Sequence, residues 1–418
     1  MPFVEGPREA EPPLGVVSTW HDAPLLHGRS RFSDVGHKSI MITGAAGFIG
    51  SWVARHFTVM YPSYQIVCFD KLDYCATWNN IVQLTALPNF SFFKGDIREA
   101  EDVLECLERY QIDTVFHFAA QTHVDLSFGN SFEFTRNNVD GTHVMLECVR
   151  RYGKVNKFIH VSTDEVYGES RDDEDDLLET ALLEPTNPYA ASKAAAEMYV
   201  HAYQKSFKIP VIVVRSNNVY GPHQYPEKVI PKFILLLERG KPLTLHGSGK
   251  NTRRYLYAGD AADAYDTVLH RGEVGHIYNV GSRDEIGNMH LCKMLLKYFE
   301  HQGEEEERIE HVEDRPFNDH RYAVDGSRLR KLGWEQKTSF EDGLRITIDW
   351  YRKYGTEWWG DIESRLTPFP EPLIPVAEGR EDLFARKQLG YEMPTGVGAT
   401  DSEGLWGLPA MIVNFFFE

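Results

Sequence analysis

The chain has 418 residues, 42% apolar and 25% charged, enough for one large core or two joined lobes. Lys and Arg number 44 against 62 Asp and Glu, a formal charge of −18, so the surface is not built to neutralise a nucleic-acid backbone. Five scattered cysteines without C-x-x-C spacing exclude a disulfide framework and an ordinary zinc cluster. No stretch approaches the roughly 18 apolar residues of a membrane-spanning helix. The opening MPFVEGPREAEPPLG lacks the apolar centre of a secretory signal. An acidic, cytoplasmic globular protein is expected, with no metal, no nucleic-acid partner and no membrane attachment.

Residues 1–36 have little periodicity and several Pro and Gly, and read as a mobile leader. From Ser39 the short apolar runs SIMIT, QIVCFD, NFSFFKGD, DTVFHFAA, KFIHVST and IPVIVVRSN follow one another, most of them separated by helical patterns. Strands alternating with helices predict an α/β fold, a doubly wound parallel sheet of dinucleotide-binding type over 37–215. Beyond Ser216 the alternation loosens and Pro and Gly increase. A smaller substrate-binding lobe is expected over 216–355, with HIYNVGS near 275–281 able to return a strand to the first sheet. The acidic runs Asp172–Asp176 and Glu304–Glu307 read as solvated loops. Residues 356–418 read as a loosely ordered extension; their closing LWGLPAMIVNFFFE is too short to cross a bilayer.

The first chemical signal is Gly44-Ala-Ala-Gly47-Phe48-Ile49-Gly50, between a strand and a helix. Glycines there let the backbone turn tightly against a pyrophosphate at the helix N-terminus. The spacing is G-x-x-G-x-x-G, and any one glycine also serves as a plain turn residue. Asp70 closes the next strand, where an acid accepts from an adenosine ribose and repels a 2′-phosphate, favouring NAD over NADP. Lys71 beside it weakens that preference, and a loop-capping Asp is the alternative. Asp96, followed by Ile97, comes after the third strand and can meet an adenine edge.

Tyr189 and Lys193 stand four apart on a predicted helix, so phenol and ammonium share a face. The cation is expected to lower the phenol's pKa and make it a general base. Thr163-Asp164-Glu165 ends the apolar run KFIHVS, where parallel sheets bind ligands. Two carboxylates confined together separate into an acid and a base, although a polar loop has the same composition.

TGAAGFIG, FDKLDY, HFAAQTHVDLS, VSTDEVYG, NPYAASKAAAE, SNNVYGPHQYPEKVIP and the DRP…RY segment, in this order over residues 38–355, resemble the nucleotide-sugar 4,6-dehydratases of the extended short-chain dehydrogenase/reductase family, closer to the eukaryotic type. The resemblance implies bound NAD and a dTDP-glucose or UDP-glucose substrate dehydrated to the 4-keto-6-deoxy sugar, as in rhamnose-type synthesis. It implies a homodimer. It makes Tyr189 the base at the sugar's 4-hydroxyl, with Lys193 tuning it, Thr163 near O4, Glu165 the C5 base and Asp164 the acid at C6. Phe118, Ala119, Ala120 and Thr122 border the cofactor in this reading, and Asn217, Lys228, Arg253, Asn279 and Arg315 meet the base and diphosphate. Asn318 stands where bacterial relatives place a His, which leaves dTDP and UDP both open. A 4-epimerase or decarboxylase of the same family is the rival enzyme, distinguished by the Asp164–Glu165 pair. A non-catalytic NAD-binding regulator is the rival of another kind.

Overall fold

The computed structural model describes residues 23–33, 36, 39–171 and 173–368. Seven parallel strands form the main sheet: β1 Ser39–Thr43, β2 Gln65–Asp70, β3 Phe90–Lys94, β4 Thr114–His117, β5 Lys157–Thr163, β6 Val211–Ser216 and β10 Ile277–Val280. Their spatial order is β10-β6-β5-β4-β1-β2-β3, so the strand order reverses beside β1, between β2 and β4. This is the doubly wound architecture. Alternate side chains supply two separate cores. Ile40, Ile42, Ile66, Cys68 and Phe116 enter one, and Met41, Val67, Phe69 and Val115 enter the other. The strands are therefore apolar on both faces, as a sheet covered on both sides requires.

Helices α1 (Phe48–Met60), α2 (Ala100–Arg109), α3 (Gly141–Tyr152) and α4 (Pro188–Phe207) make the crossovers. Local chemistry sets their ends. Asn187 caps α4 by accepting from the Ala190 N–H at 2.9 Å, and Pro188 follows at the first helical position. Gly153, at φ 71°, closes α3 in the left-handed conformation.

The chain then builds a second region from two small sheets. β7 (Asn218–Tyr220), β9 (Thr252–Tyr257) and β11 (Glu285–Gly287) form one; β8 (Leu243–His246) and β12 (Ile309–Val312) form the other. Between them run α5 (Val229–Glu238) and α6 (Ala258–Arg271). The division at 215/216 is not clean, because α6 packs on α1 and β10 pairs with β6, so the stretch 258–280 belongs to the first sheet.

Two expectations need correction. The stretch 23–33 is not a loose leader: the Arg29 and Ser30 N–H groups donate to Asp263 at 2.6 and 2.7 Å, and Arg55 Nε donates to the Leu26 carbonyl at 2.7 Å. Nor is the extension loose from its start. Trp358, Ile362 and Leu366 are buried, and Trp358 Nε1 donates to Asn80 Oδ1 at 2.8 Å. Aromatic and aliphatic side chains in both stretches bury against the body without any regular period, which a periodicity reading passes over. The expectations for 1–22 and for 369–418 lie outside the described residues.

Asp266 on α6 ties this region together. Fully buried, it meets His56 at 2.8 Å, His270 at 2.7 Å and the Tyr61 hydroxyl at 2.8 Å. Burial pushes its carboxyl up, but the two imidazoles outweigh that and hold it below its ordinary value. Its contribution to stability is thus present above the ordinary carboxylate range and is lost as pH falls through the lowered value. Asp266→Asn should cost roughly 3–5 kcal/mol in urea denaturation near neutral pH. The gap to the native chain should shrink below about pH 4.

Candidate active site

A cavity of about 420 Å³ opens at the C-terminal ends of β1, β2, β4, β5 and β6, the position where doubly wound sheets bind ligands. One end is made by the glycine turn. Gly44 has φ +67°, and a Cβ there would lie 2.8 Å from the Ala119 backbone. The loops after β1 and β4 can approach this closely only with glycine. A Cβ on Gly50 would lie 2.4 Å from the Gly44 carbonyl, which explains the third glycine. Gly47, Phe48 and Ile49 complete this part of the wall.

Asp70 ends β2 and accepts the Ala46 and Leu72 N–H groups, each at 2.8 Å. Burial pushes its carboxyl up, and those two N–H groups pull it back. The carboxylate still has acceptor capacity for a ribose. Lys71 does not answer Asp70; it lies 3.0 Å from Asp73 and 3.8 Å from Asp96. Burial raises Asp96, but its hydrogen bonds from Arg98 and the charge of Lys71 hold it below the ordinary value. Ile97, Phe118, Ala119, Ala120 and Thr122 also line this cavity, with the Phe118 ring set edge-on to Tyr265 at 4.8 Å.

Thr163, Glu165, Tyr189 and Lys193 share the same wall. The Thr163 hydroxyl caps the turn Asp164–Tyr167, accepting the Glu165 N–H at 3.3 Å and donating to Asp164 Oδ1 at 3.2 Å. Asp164 is not itself in the lining. It sits just behind, with Oδ2 accepting from Asn217 Nδ2 at 2.6 Å. Burial and then the charge of Glu165 push Asp164 up to about 7, against the pull of Asn217 and Thr163. Glu165 is raised by burial, and its Oε2 accepts from Asn187 Nδ2 at 3.3 Å. Two carboxyls of one turn are thus held in different surroundings, as an acid–base pair requires.

The expected tuning of Tyr189 by Lys193 is reversed in this arrangement. Burial, and next the charge of Glu165, push the phenol well above its ordinary value. Lys193 Nζ instead donates to the Val161 carbonyl at 2.7 Å, and burial brings it down to about 8. Helical spacing aligned the two side chains but carried no information on burial.

Lys228, Arg253 and Arg315 reach the other end of the cavity. Asn217 lines it too, but its amide is spent on Asp164 and on the Ser282 N–H, at 2.7 Å, so it acts as a support. Asn279 is outside the cavity. Fully buried on β10, it accepts from the Tyr167 hydroxyl at 2.8 Å and donates to the Leu177 and Asp325 carbonyls.

Several supporting residues escaped the sequence reading. Asn138 accepts the Gln121 N–H at 2.8 Å and donates to the Gln121 carbonyl and to Ser192 Oγ, each at 2.9 Å. Ser192 in turn donates to the Tyr189 carbonyl at 2.7 Å. Asn138 lies in the π-helical turn Thr135–Asp140, and the buried pair NN inside a helical pattern was the available signal. Asn187 was signalled only as a helix entry.

The profile of the GDP-mannose 4,6 dehydratase family matches residues 41–347. A dTDP-D-glucose 4,6-dehydratase of Homo sapiens is 47% identical over 336 residues, 80% of this chain and 95% of that protein. The chain belongs to the nucleotide-sugar 4,6-dehydratase family. The trifunctional UDP-glucose 4,6-dehydratase/UDP-4-keto-6-deoxy-D-glucose 3,5-epimerase/UDP-4-keto-L-rhamnose-reductase of Arabidopsis thaliana is 54% identical over 341 residues. That alignment takes 81% of this chain, which spans about half the length of the plant relative, 50%. Among solved structures, the dTDP-glucose 4,6-dehydratase of Streptomyces venezuelae with NAD and TYD bound has a TM-score of 0.72 at 37% identity. It covers 76% of this chain and 97% of that one.

Gly44→Ala should press the new methyl against the Ala119 backbone. The expected result is a lower melting temperature and loss of dinucleotide from the purified protein, read by calorimetry and by nucleotide release on denaturation.

Proposed function

We propose that this chain is an NAD-dependent 4,6-dehydratase of dTDP-glucose or UDP-glucose that forms the 4-keto-6-deoxy sugar nucleotide for rhamnose-type synthesis. The observation that carries the reading is the Asp164–Glu165 pair, its two carboxyls separately held, on the same turn as Thr163 and against the cavity that Tyr189 and Lys193 line.

The residues present fit the cofactor. The left-handed Gly44 allows close backbone approach, Asp70 keeps acceptor capacity, and the wall includes Ser162, whose buried hydroxyl has no partner among the described residues. Gly44 to Gly50, Asp70, Asp96 and Lys193 are the residues that would hold it. NAD held there would supply a reversible hydride store, and with the hydride borrowed from C4 given back at C6 the net change would be loss of water.

The protein's part is proton handling. Tyr189 takes the 4-hydroxyl proton, and Lys193 supplies nearby positive charge. The 4-ketone acidifies the C5–H bond, and Glu165 removes that proton. Asp164 protonates the departing 6-hydroxyl, which leaves as water; a positioned acid of this kind contributes about 10²–10⁴ in rate. Arg253 and Lys228 favour the diphosphate.

We further propose a homodimer, supported by Met198, Tyr199 and Phe207, which leave α4 with large exposed apolar side chains. A cytoplasmic setting is supported by five free cysteines and the acidic composition. Among the described residues no helix is long and apolar enough to cross a membrane.

Parallel incubation with UDP-glucose and dTDP-glucose, followed by mass spectrometry, should give a product lighter by one water from at least one of them. An inverted sugar of unchanged mass would make the chain an epimerase instead. Asp164→Asn should slow water loss by about 10²–10⁴, whereas Glu165→Gln should also stop exchange of the C5 proton with deuterated solvent. Because Asp164 sits at about 7, its acid form empties as pH rises through that value. Turnover of the native chain should therefore fall on the alkaline side.

A further inference from the structure

The second end of the cavity has more cations than carboxyls: Lys228, Lys232, Arg253 and Arg315 line it with Asp125 and Glu227. Arg315 is answered by Asp125, 2.6 Å away. Among the described residues, Lys228, Lys232 and Arg253 have no carboxylate within ion-pair distance. Lys228 donates to the Thr122 carbonyl at 2.7 Å, and Arg253 to the carbonyls of Thr252 and His320. Lys232 is the most buried of the three, 6% exposed, and its Nζ donates to the Thr367 carbonyl. An ammonium has three donors, so two remain for a ligand in the cavity that Lys232 lines.

The sequence offers no reason to expect this lysine in a site, since it lies in the apolar helix VIPKFILLLE. What aims it is the segment Ile362–Pro368. Ile362 and Leu366 are buried, and Glu363 pairs with Arg239 at 2.7 Å and Lys241 at 3.0 Å, fastening the segment along α5. The segment then presents two successive carbonyls to the cavity wall, Thr367 to Lys232 and Pro368 to His246, the latter at 3.2 Å.

We propose that Lys232 is a further substrate-recognition residue, an ammonium that binds the diphosphate of the nucleoside diphosphate sugar and is set in place by the Thr367 carbonyl. The inference rests on the sugar-nucleotide reading above. Charge decides for the diphosphate against the nucleobase. Lys228, Lys232, Arg253 and Arg315 outnumber Asp125 and Glu227, the carboxyls whose charge acts on Lys232, and two adjoining phosphates supply the missing negative charge where a neutral base supplies none. Burial also lowers Lys232 to about 8, and an anion seated beside it restores the charged form.

The test compares the native full-length chain with Lys232→Met and Lys232→Arg, using UDP, dTDP, uridine and thymidine as probes in titration calorimetry. Lys232→Met should weaken both diphosphates roughly 10- to 100-fold and leave the nucleosides unchanged. Lys232→Arg should keep most of the affinity. The KM for the sugar nucleotide should rise by a similar factor in Lys232→Met while kcat changes little. Unchanged UDP and dTDP affinity, or an equal loss for the nucleosides, would overturn the assignment. A native chain that binds neither diphosphate would instead remove the sugar-nucleotide reading beneath it. Melting curves check folding, and Lys232→Gln serves as the second variant should Lys232→Met fail to fold.

Discussion

One buried ion pair decides where the reactive helix lies. Glu197 on α4 accepts from Arg215 on β6 at 3.0 and 2.6 Å, with both side chains almost fully buried. Buried charges are tolerated only when paired this well, and the two-pronged geometry fixes orientation as well as distance. Tyr189, Lys193 and Glu197 follow at intervals of four, so anchoring the last places the first two. Arg215 also donates to the Tyr167 hydroxyl at 2.7 Å, and Tyr167 donates to Asn279. One guanidinium thereby connects α4, β6, β10 and the turn that carries Asp164 and Glu165.

Electrostatics in the site follow from dryness more than from pairing. Burial is the largest influence on Asp164, Glu165, Tyr189 and Lys193 alike, raising the acids and lowering the ammonium. Each neutral form is thereby favoured: Asp164 rises to about 7 and Lys193 falls to about 8, which draws those two together, while Tyr189 is pushed further from both. For Asp164 and Lys193 the free-energy difference between their proton-holding states is therefore smaller than in water, whereas for Tyr189 it is larger. The other end of the cavity is different in kind, because guanidinium and ammonium groups line it and suit an anion.

What could be read from the residues was local. Gly44 to Gly50, Asp70, Thr163 to Glu165 and the Tyr189–Lys193 pair each sit within a few positions of a strand end or helix start, where periodicity and turn chemistry constrain them. What could not be read depends on distant partners. Asn279 falls in a strand whose neighbours come from β6 and from residues near 325, which turns it from a ligand contact into a brace. Asn217 lines the cavity, yet its amide is occupied by Asp164. The direction of the Tyr189 shift needs the depth of burial, and Lys232 needs the carbonyl of residue 367. No window of sequence contains these.

The late return of β10 to the sheet has a consequence for synthesis on the ribosome. When residue 216 has been added, six strands are complete, but β6 still presents an open edge of unpaired backbone groups until Ile277–Val280 arrives. Over the same interval the side of α1 that α6 will cover, Trp52 and Phe57 among its apolar residues, has no partner helix. The nascent chain thus carries an exposed strand edge and an apolar helix face together, the two features most prone to misassociation. Roughly 40 to 55 further residues must be made before α6 covers that helix face, and roughly 60 before β10 closes the edge, separations that follow from the order of the elements alone. A sheet completed from a distant part of the chain makes the growing polypeptide dependent on shielding for that interval, whatever the stability of the finished fold.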